Sequence, residues 1–424
     1  MTTGLSELGR RTTEPPISWL MGLALSRPNL ISLAAGFTDN ESLPVDFTRE
    51  ILHELLRHSK RGRPALQYGP TAGDPELRSL TADRVRELDH GAGARAPKSR
   101  YPTDRTIITN GSQQLLYMLT EALCDPGDIV LVEDPTYFVY LGIAQSHGVQ
   151  CKGLRLEQDG IDLKHLDGTL KRLKRSGELK RVKFLYLVSY FQNPSCLTTS
   201  LAKKRAALEL LRGYEKAAGH PLYLLEDAAY RELRFEGDDT PSALSLKGAE
   251  DRVLYTSTYS KPFATGIRAG YGVLPEEILK VVTRIKGNHD FGTANLVQQV
   301  LVRALHSGRY ERHLKQLRER YAHKAEVMLG AMRRHFPSDI TWPDTRGGLY
   351  YWVNVPGAET GLESGLFKAA LDAGVFFVPG GLCYADDPAR PRPRHEMRIS
   401  FGAASLRNIR AGVKLLGGVL KSAN

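Results

Sequence analysis

The four cysteines of this 424-residue chain, Cys124, Cys151, Cys196 and Cys383, lie far apart, with no CxxC pair and no Cys/His cluster. That spacing argues against a disulfide framework and against a structural zinc site, so no metal is expected. No uncharged apolar run is long enough to cross a bilayer. The opening MTTGLSELGRRTTEPP lacks the apolar core of a secretory signal, and the expectation is a cytoplasmic protein with no membrane partner. Internal repeats and low-complexity tracts are lacking too. Acidic residues are outnumbered, 47 against 58 basic ones, which leaves a net charge of +11. Such a balance raises nucleic acid as a partner. The densest basic run, KRLKRSGELKRVK (171–183), spreads its charges round a helix and a following loop, with no aromatics to stack bases. A solvated helix accounts for it, and an anionic cofactor suits a basic protein equally well. No nucleic-acid partner is expected.

What is present is an ordinary globular composition, 42% apolar and 25% charged, on a chain long enough for two lobes. TIITN (106–110), DIVLVE (128–133), KFLYLVS (183–189), PLYLLED (221–227) and RVLYTST (252–258) have the character of buried strands. Helical patterns such as 113–124 and 200–219 separate them, which predicts a mainly parallel α/β sheet covered on both faces. Ligands in such folds bind at the carboxyl ends of the strands. After about Leu314 the pattern changes to a long amphipathic helix (313–336), strands near 347–355, 374–381 and 396–402, and a helix near 362–373. These predict a smaller α/β lobe. The stretch DDPARPRPRHE (386–396) reads as an exposed loop.

Several short motifs follow the strand ends, and each has a plain explanation by itself. In TNGSQQLL, Gly111 permits a tight turn, and Ser112 and Gln113 open a helix whose free N–H groups suit a phosphate. A simple N-cap explains the same residues. Tyr137 in EDPTYFVY can stack on a flat ring or pack in the core. Asn193 in FQNPSC begins a turn. Asp227 in LLEDAAYREL is harder to dismiss, because a carboxylate after so apolar a strand needs a cation to meet it. Tyr230 follows one helical turn later.

The stretch STYSKPFATGIRAGY (257–271) decides among these readings. Lys261 lies among hydroxyls, and a desolvated lysine in a cationic site becomes nucleophilic. Thr258, Ser260 and Arg268 offer donors to a phosphate, and Gly266 is read as the point where the backbone bends close to it. An anion site, a carboxylate for a ring nitrogen and a lysine for an aldehyde together describe pyridoxal 5′-phosphate.

With LQYGPTAGDPELR, TNGSQQLL, DPTYFVY, QNPSC, EDAAYREL, STYSKPFATGIRAGY, GGLYYWV, VPGG and MRISFG in this order, the chain resembles fold-type I pyridoxal-phosphate enzymes of the class I/II aminotransferase family. It leans to the α-aminoadipate/kynurenine branch. The resemblance implies a large domain over 49–312 with a mainly parallel seven-stranded sheet. A smaller α/β domain would come from segment 1–48 and from 313–424. It implies Lys261 as the Schiff-base lysine and proton shuttle, Asp227 on the pyridine nitrogen, and Asn193 and Tyr230 on the phenolic oxygen. Tyr137 would stack on the ring, while Ser112, Gln113, Thr258, Ser260 and Arg268 would hold the phosphate. Tyr68 would reach the phosphate of a neighbouring subunit, which implies a homodimer with shared sites. Arg398 would grip the substrate carboxylate, with Gly36 and Asn193 beside the substrate. Two positions depart from the family pattern: Cys196 replaces a glycine after Asn193, and Thr265 replaces a proline.

The implied reaction is ping-pong transfer of an amino group from an L-amino acid (α-aminoadipate, aromatic or large aliphatic) to a 2-oxo acid such as 2-oxoglutarate. The same residues serve β-lyases and related enzymes of this fold, so that alternative stays open. A further alternative is a regulator that joins a winged helix to such a domain. Fewer than forty residues precede Gly36, too few for that arrangement.

Overall fold

The structure is a computed structural model that describes every residue except 1–3, 28, 92–99, 389 and 424. Its strands in chain order begin with β1 (Ile31–Ser32), β2 (Thr106–Thr109), β3 (Ile129–Asp134), β4 (Gln150–Glu157) and β5 (Gly160–Ile161). Next come β6 (Val182–Val188), β7 (Tyr223–Asp227), β8 (Val253–Thr258) and β9 (Gly270–Val273). The series ends with β10 (Tyr350–Asn354), β11 (Val375–Phe376), β12 (Val378–Pro379) and β13 (Glu396–Ser400).

The main sheet has the order β2-β9-β8-β7-β6-β3-β4-β5. Pairing is parallel from β8 through β7, β6 and β3 to β4, whereas β9 runs antiparallel to β8 and β2. The mainly parallel seven-stranded sheet is thus present, extended by the two-residue β5 folded back on β4. Alternate residues of each central strand feed two separate cores. Leu131, Leu185, Leu187, Leu224 and Val253 join one, and Val130, Val132, Phe184, Tyr186, Leu225 and Leu254 join the other. Period-two alternation with both faces buried is what a helix-covered parallel sheet requires. The helix Ser112–Leu123 covers the second face through Leu115, Leu116, Met118 and Leu119. The helix Leu201–Ala218 covers the first through Ala207, Leu208 and Leu211.

Three strands of this sheet escaped the sequence reading, among them the two-residue β5, too short to show a pattern. β4 is half exposed, so its charged residues hide the apolar alternation. β9 reads GYGV, and its glycines answer to neighbours rather than to local preference: a Cβ on Gly270 would collide with the backbone of Gly111 and Ser112.

The C-terminal half holds the helix Arg309–His335, packed along the helix Leu406–Ala423. The run expected as one strand near 374–381 is split at Phe377. β11 pairs with β1, while β12 joins β13 and β10 in a three-stranded antiparallel sheet. Phe377 itself is fully buried, so the break comes from serving two sheets and not from polarity.

A buried ion pair fastens the main sheet to a covering helix. Lys204 Nζ lies 2.7 Å from Glu226 Oε1 on β7, both side chains wholly buried, with Tyr190 Oη and Pro241 O each accepting from the amine at 3.0 Å. Removing one partner leaves a dry, unpaired charge, which typically costs about 3–5 kcal/mol. Glu226→Ala is therefore expected to lower the unfolding free energy measured in urea by an amount in that range, and Glu226→Ala/Lys204→Met to recover much of the loss. A single variant as stable as the parent would show the pair to be dispensable.

Candidate active site

Five strand ends converge on one cavity of about 230 Å³. Ser112 and Gln113 follow β2, Tyr137 follows β3, and Asn193 follows β6. Asp227 closes β7, and Thr258, Ser260, Lys261 and Arg268 follow β8. Gly36 and Arg398 enter from the smaller lobe. Parallel pairing forces these ends to the same edge of the sheet, and crossover helices keep that edge open to a ligand.

At one end of the cavity the groups suit an anion. Gly111 has φ +77° and caps the helix Ser112–Leu123 without a side chain, so the first turn presents bare N–H groups. A Cβ on Gly111 would come within 2.7 Å of Arg268 Nη2, so glycine is what lets the guanidinium approach this turn. Arg268 Nη1 donates to Ser260 Oγ and to Thr265 O, each at 3.4 Å, and no carboxylate pairs with it among the described residues. Ser260 N–H donates to Thr258 Oγ1 at 3.0 Å, which orders the hydroxyls. The bend foreseen at Gly266 falls instead at Arg268, whose φ is +46°; among the described residues, none beyond its chain neighbours lies within 4 Å of a Cβ on Gly266.

A second group of lining residues surrounds a carboxylate. Asp227 is 3% exposed, accepts from Tyr186 Oη and from Ala229 N–H, both at 3.0 Å, and has no cationic partner among the described residues. Burial pushes its carboxyl up to about 6, against those two donors. Lys261 Nζ, also in the lining, donates to Gly36 O at 2.8 Å. Burial first, then Arg398 and Arg268, bring that amine down to about 8.

Arg398 lies on β13, wholly buried, stacked 4.3 Å from the Tyr350 ring centroid. It donates from Nη1 to Asn193 Oδ1 at 2.6 Å and from Nη2 to Ala34 O at 2.7 Å, while its buried Nε has no partner among the described residues. Tyr230 Oη and Tyr350 Oη share a hydrogen bond of 2.8 Å. Cys196 occupies a left-handed backbone position, φ +66°, and donates its thiol to Tyr350 O at 3.1 Å. Burial pushes that thiol up to about 12, which leaves it a packing group.

A model of the family described as aminotransferase class I and II matches residues 28–414. The chain belongs to that family. It is 32% identical to a 2-aminoadipate transaminase of Thermus thermophilus over 93% of this chain and 91% of that protein. It is 30% identical to aromatic-amino-acid aminotransferase 1 of Thermococcus litoralis, over 93% and 88% respectively. The solved structure of a Pyrococcus horikoshii kynurenine aminotransferase, in complex with PMP, aligns at a TM-score of 0.87 and 29% identity. That alignment covers 99% of this chain and 97% of the other.

Pyridoxal 5′-phosphate is the cofactor of this aminotransferase, and the residues present fit it. One cavity combines an uncompensated carboxylate in Asp227, the Gly111 cradle with Arg268 beside it, and the amine of Lys261. Of the residues foreseen from the sequence, all but one border this cavity. Tyr68 does not: it is 82% exposed, against Phe291 at 5.1 Å, and borders a separate hollow with Gln67, Gly69 and Asn295. Sequence reasoning missed Tyr350, Phe37, Phe138, Val139 and Val188 in the lining, and Tyr186 behind Asp227. Tyr186 was visible only as one more apolar residue of β6.

The dry carboxylate has a stability consequence of definite sign. Near the ordinary value of 3.8 and below, Asp227 is protonated folded and unfolded alike. Between there and about 6 the unfolded chain gives up the proton first. Above about 6 the folded protein bears the full penalty, on the order of 3 kcal/mol. Asp227→Asn is therefore expected to raise the melting temperature of the cofactor-free aminotransferase at pH 8, with the gain shrinking as pH falls toward 4. The same change should weaken cofactor binding. Thermal unfolding at both pH values checks it, and an equal effect at both would contradict the assignment.

Proposed function

We propose that this aminotransferase moves the amino group of an L-amino acid to a 2-oxo acid such as 2-oxoglutarate in a ping-pong cycle. The donor class is 2-aminoadipate, aromatic or large aliphatic. Arg398 carries this reading: it borders the cavity, and each Nη gives only one of its two N–H groups to Asn193 or Ala34, so the guanidinium has donors left for a carboxylate. It stands in the same cavity as Lys261, so a substrate held by its carboxylate brings its α-carbon to the amine.

Bound pyridoxal phosphate supplies the carbonyl that takes up the amino group and a ring that withdraws electrons from the α-carbon. The chain's own residues do the rest. Lys261 Nζ, with its proton affinity lowered to about 8, is partly uncharged near neutral pH and can remove the α-proton. Asp227 would hold a proton on the ring nitrogen, Tyr230 and Asn193 would bond the phenolic oxygen, and Tyr137 would pack against the ring. Ser112, Gln113, Thr258, Ser260 and Arg268 would hold the phosphate.

The side-chain preference is supported by Phe37, Phe138, Val139 and Val188 in the lining, which favour an apolar stem, and by the activities named for the relatives above. A homodimer with shared sites is supported by Tyr68 and Phe291, two aromatic rings turned to solvent side by side. The division into 1–48, 49–312 and 313–424 is supported by the pairing of β1 with β11, which ties the N-terminal segment to the C-terminal lobe.

The absorbance spectrum tests the reading. The yellow band of the holoenzyme is expected to bleach with L-2-aminoadipate or an aromatic amino acid and to return with 2-oxoglutarate. Lys261→Ala should abolish the cycle. Arg398→Lys should raise KM for the amino acid by about tenfold or more, since a lysine cannot form the bidentate pair. Bleaching accompanied by release of pyruvate or ammonia would move the assignment to a lyase.

A further inference from the structure

The segment NHDFGTAN (288–295) joins the helices Glu276–His289 and Asn295–His306, and nothing in the proposed chemistry uses it. It is tied down at both ends. Asp290 Oδ2 accepts from Asn110 Nδ2 and from Gln114 Nε2, each at 2.6 Å. Lys286 Nζ reaches Asp290 Oδ1 at 2.8 Å, Asp290 Oδ2 at 2.7 Å and Gln114 Oε1 at 3.3 Å. Gln114 Oε1 also accepts from the Asn110 N–H at 2.8 Å. Asn110 and Gln114 flank Gly111, Ser112 and Gln113, the turn that presents its N–H groups to the cavity. One carboxylate therefore clamps both shoulders of that turn.

The other end meets the loop that bears Tyr68. Asn295 Nδ2 donates to Pro64 O at 2.8 Å and to Gln67 O at 3.3 Å. The Phe291 ring, on a backbone position with φ +60°, stands edge-on to Tyr68. Thr293 Oγ1 donates to Ile108 O of β2 at 3.2 Å between the two.

We infer that Asp290 is a positioning residue for the anion-binding turn, and that 290–295 is a bracket fixing this turn relative to the Tyr68 loop. A carboxylate so near a phosphate site would by itself repel the ligand. The buried amine of Lys286 neutralises it, so the contribution of Asp290 is the geometry of the donors and not charge. The inference rests on the pyridoxal phosphate reading of the cavity.

The test is titration of the cofactor-free protein, followed by quenching of tryptophan fluorescence, with pyridoxal 5′-phosphate and with pyridoxal, which lacks the phosphate. Asp290→Ala is expected to weaken pyridoxal 5′-phosphate by about tenfold or more while leaving pyridoxal unchanged. Asp290→Asn, which keeps one oxygen for Asn110 and Gln114, should recover part of the affinity. Equal losses for both compounds, or no loss for either, would overturn the inference. If Asp290→Ala fails to fold, Asn110→Ala and Gln114→Ala each remove one shoulder contact and should show the same phosphate-selective loss; a loss that is not selective overturns it too. Parent protein that takes up neither compound would instead defeat the reading of the cavity. For the second end, Asn295→Ala should weaken pyridoxal 5′-phosphate about as much as Tyr68→Phe, with no further loss in the double variant. Additive losses would break that end of the bracket. Normal cofactor binding by Tyr68→Phe would remove both the shared-site proposal and the Tyr68 end, and the Asp290 titrations would stand apart from it.

Discussion

Asp227 ends β7 inside the apolar part of the sheet, where desolvation resists its charge and only two neutral donors support it. Such a group is a liability in a protein without a ligand, since a dry carboxylate with no cation lowers stability. It becomes an asset when a protonated ring nitrogen meets it. Much of the surrounding architecture can be understood as holding that carboxylate in place and dry: β6 and β8 pair on either side of it, Tyr186 reaches across from β6, and Ala229 folds back over it.

The other charged groups of the cavity have the opposite sign. Arg268, Arg398 and Lys261 place three basic groups round a space that contains one acid, and the two guanidinium groups help lower the proton affinity of the lysine. The same positive field that lowers the proton affinity of Lys261 also favours anions in the space. The smaller lobe contributes through Gly36 and Arg398, and its N-terminal loop is anchored by Asp39. That carboxylate accepts from the buried Lys324 Nζ at 2.8 Å and pairs with Arg320 on the same helix. The loop that receives the Lys261 amine is therefore fixed to the long helix of the C-terminal lobe.

Much of the site was legible in the sequence because parallel strands announce their own ends. An apolar run followed by a chemically unusual residue, as in LLEDAAY or LYTSTYSK, places that residue at the ligand-binding edge without further information. The glycines were less legible. Gly347 precedes β10 because a Cβ there would strike the Phe191 ring at 2.6 Å, and Phe191 is far away in the chain. Gly270 has the same kind of reason in Gly111 and Ser112. Tyr350 was passed over because a run of aromatics on a strand looks like core; its contact with Tyr230 and Arg398 exists only once β10 pairs with β13.

By itself the sequence determined five strands of the sheet, the residues that follow their ends and the identity of the cofactor they suit. Those depend on local alternation and on residue type, which are written in the chain. Only the tertiary structure decided that Arg398 meets Asn193, that Tyr68 stands apart in solvent, and that Asp290 braces the turn after β2. Each is a contact between segments distant in the chain, set by how helices and strands pack, and packing distance leaves no period or motif for the sequence to show.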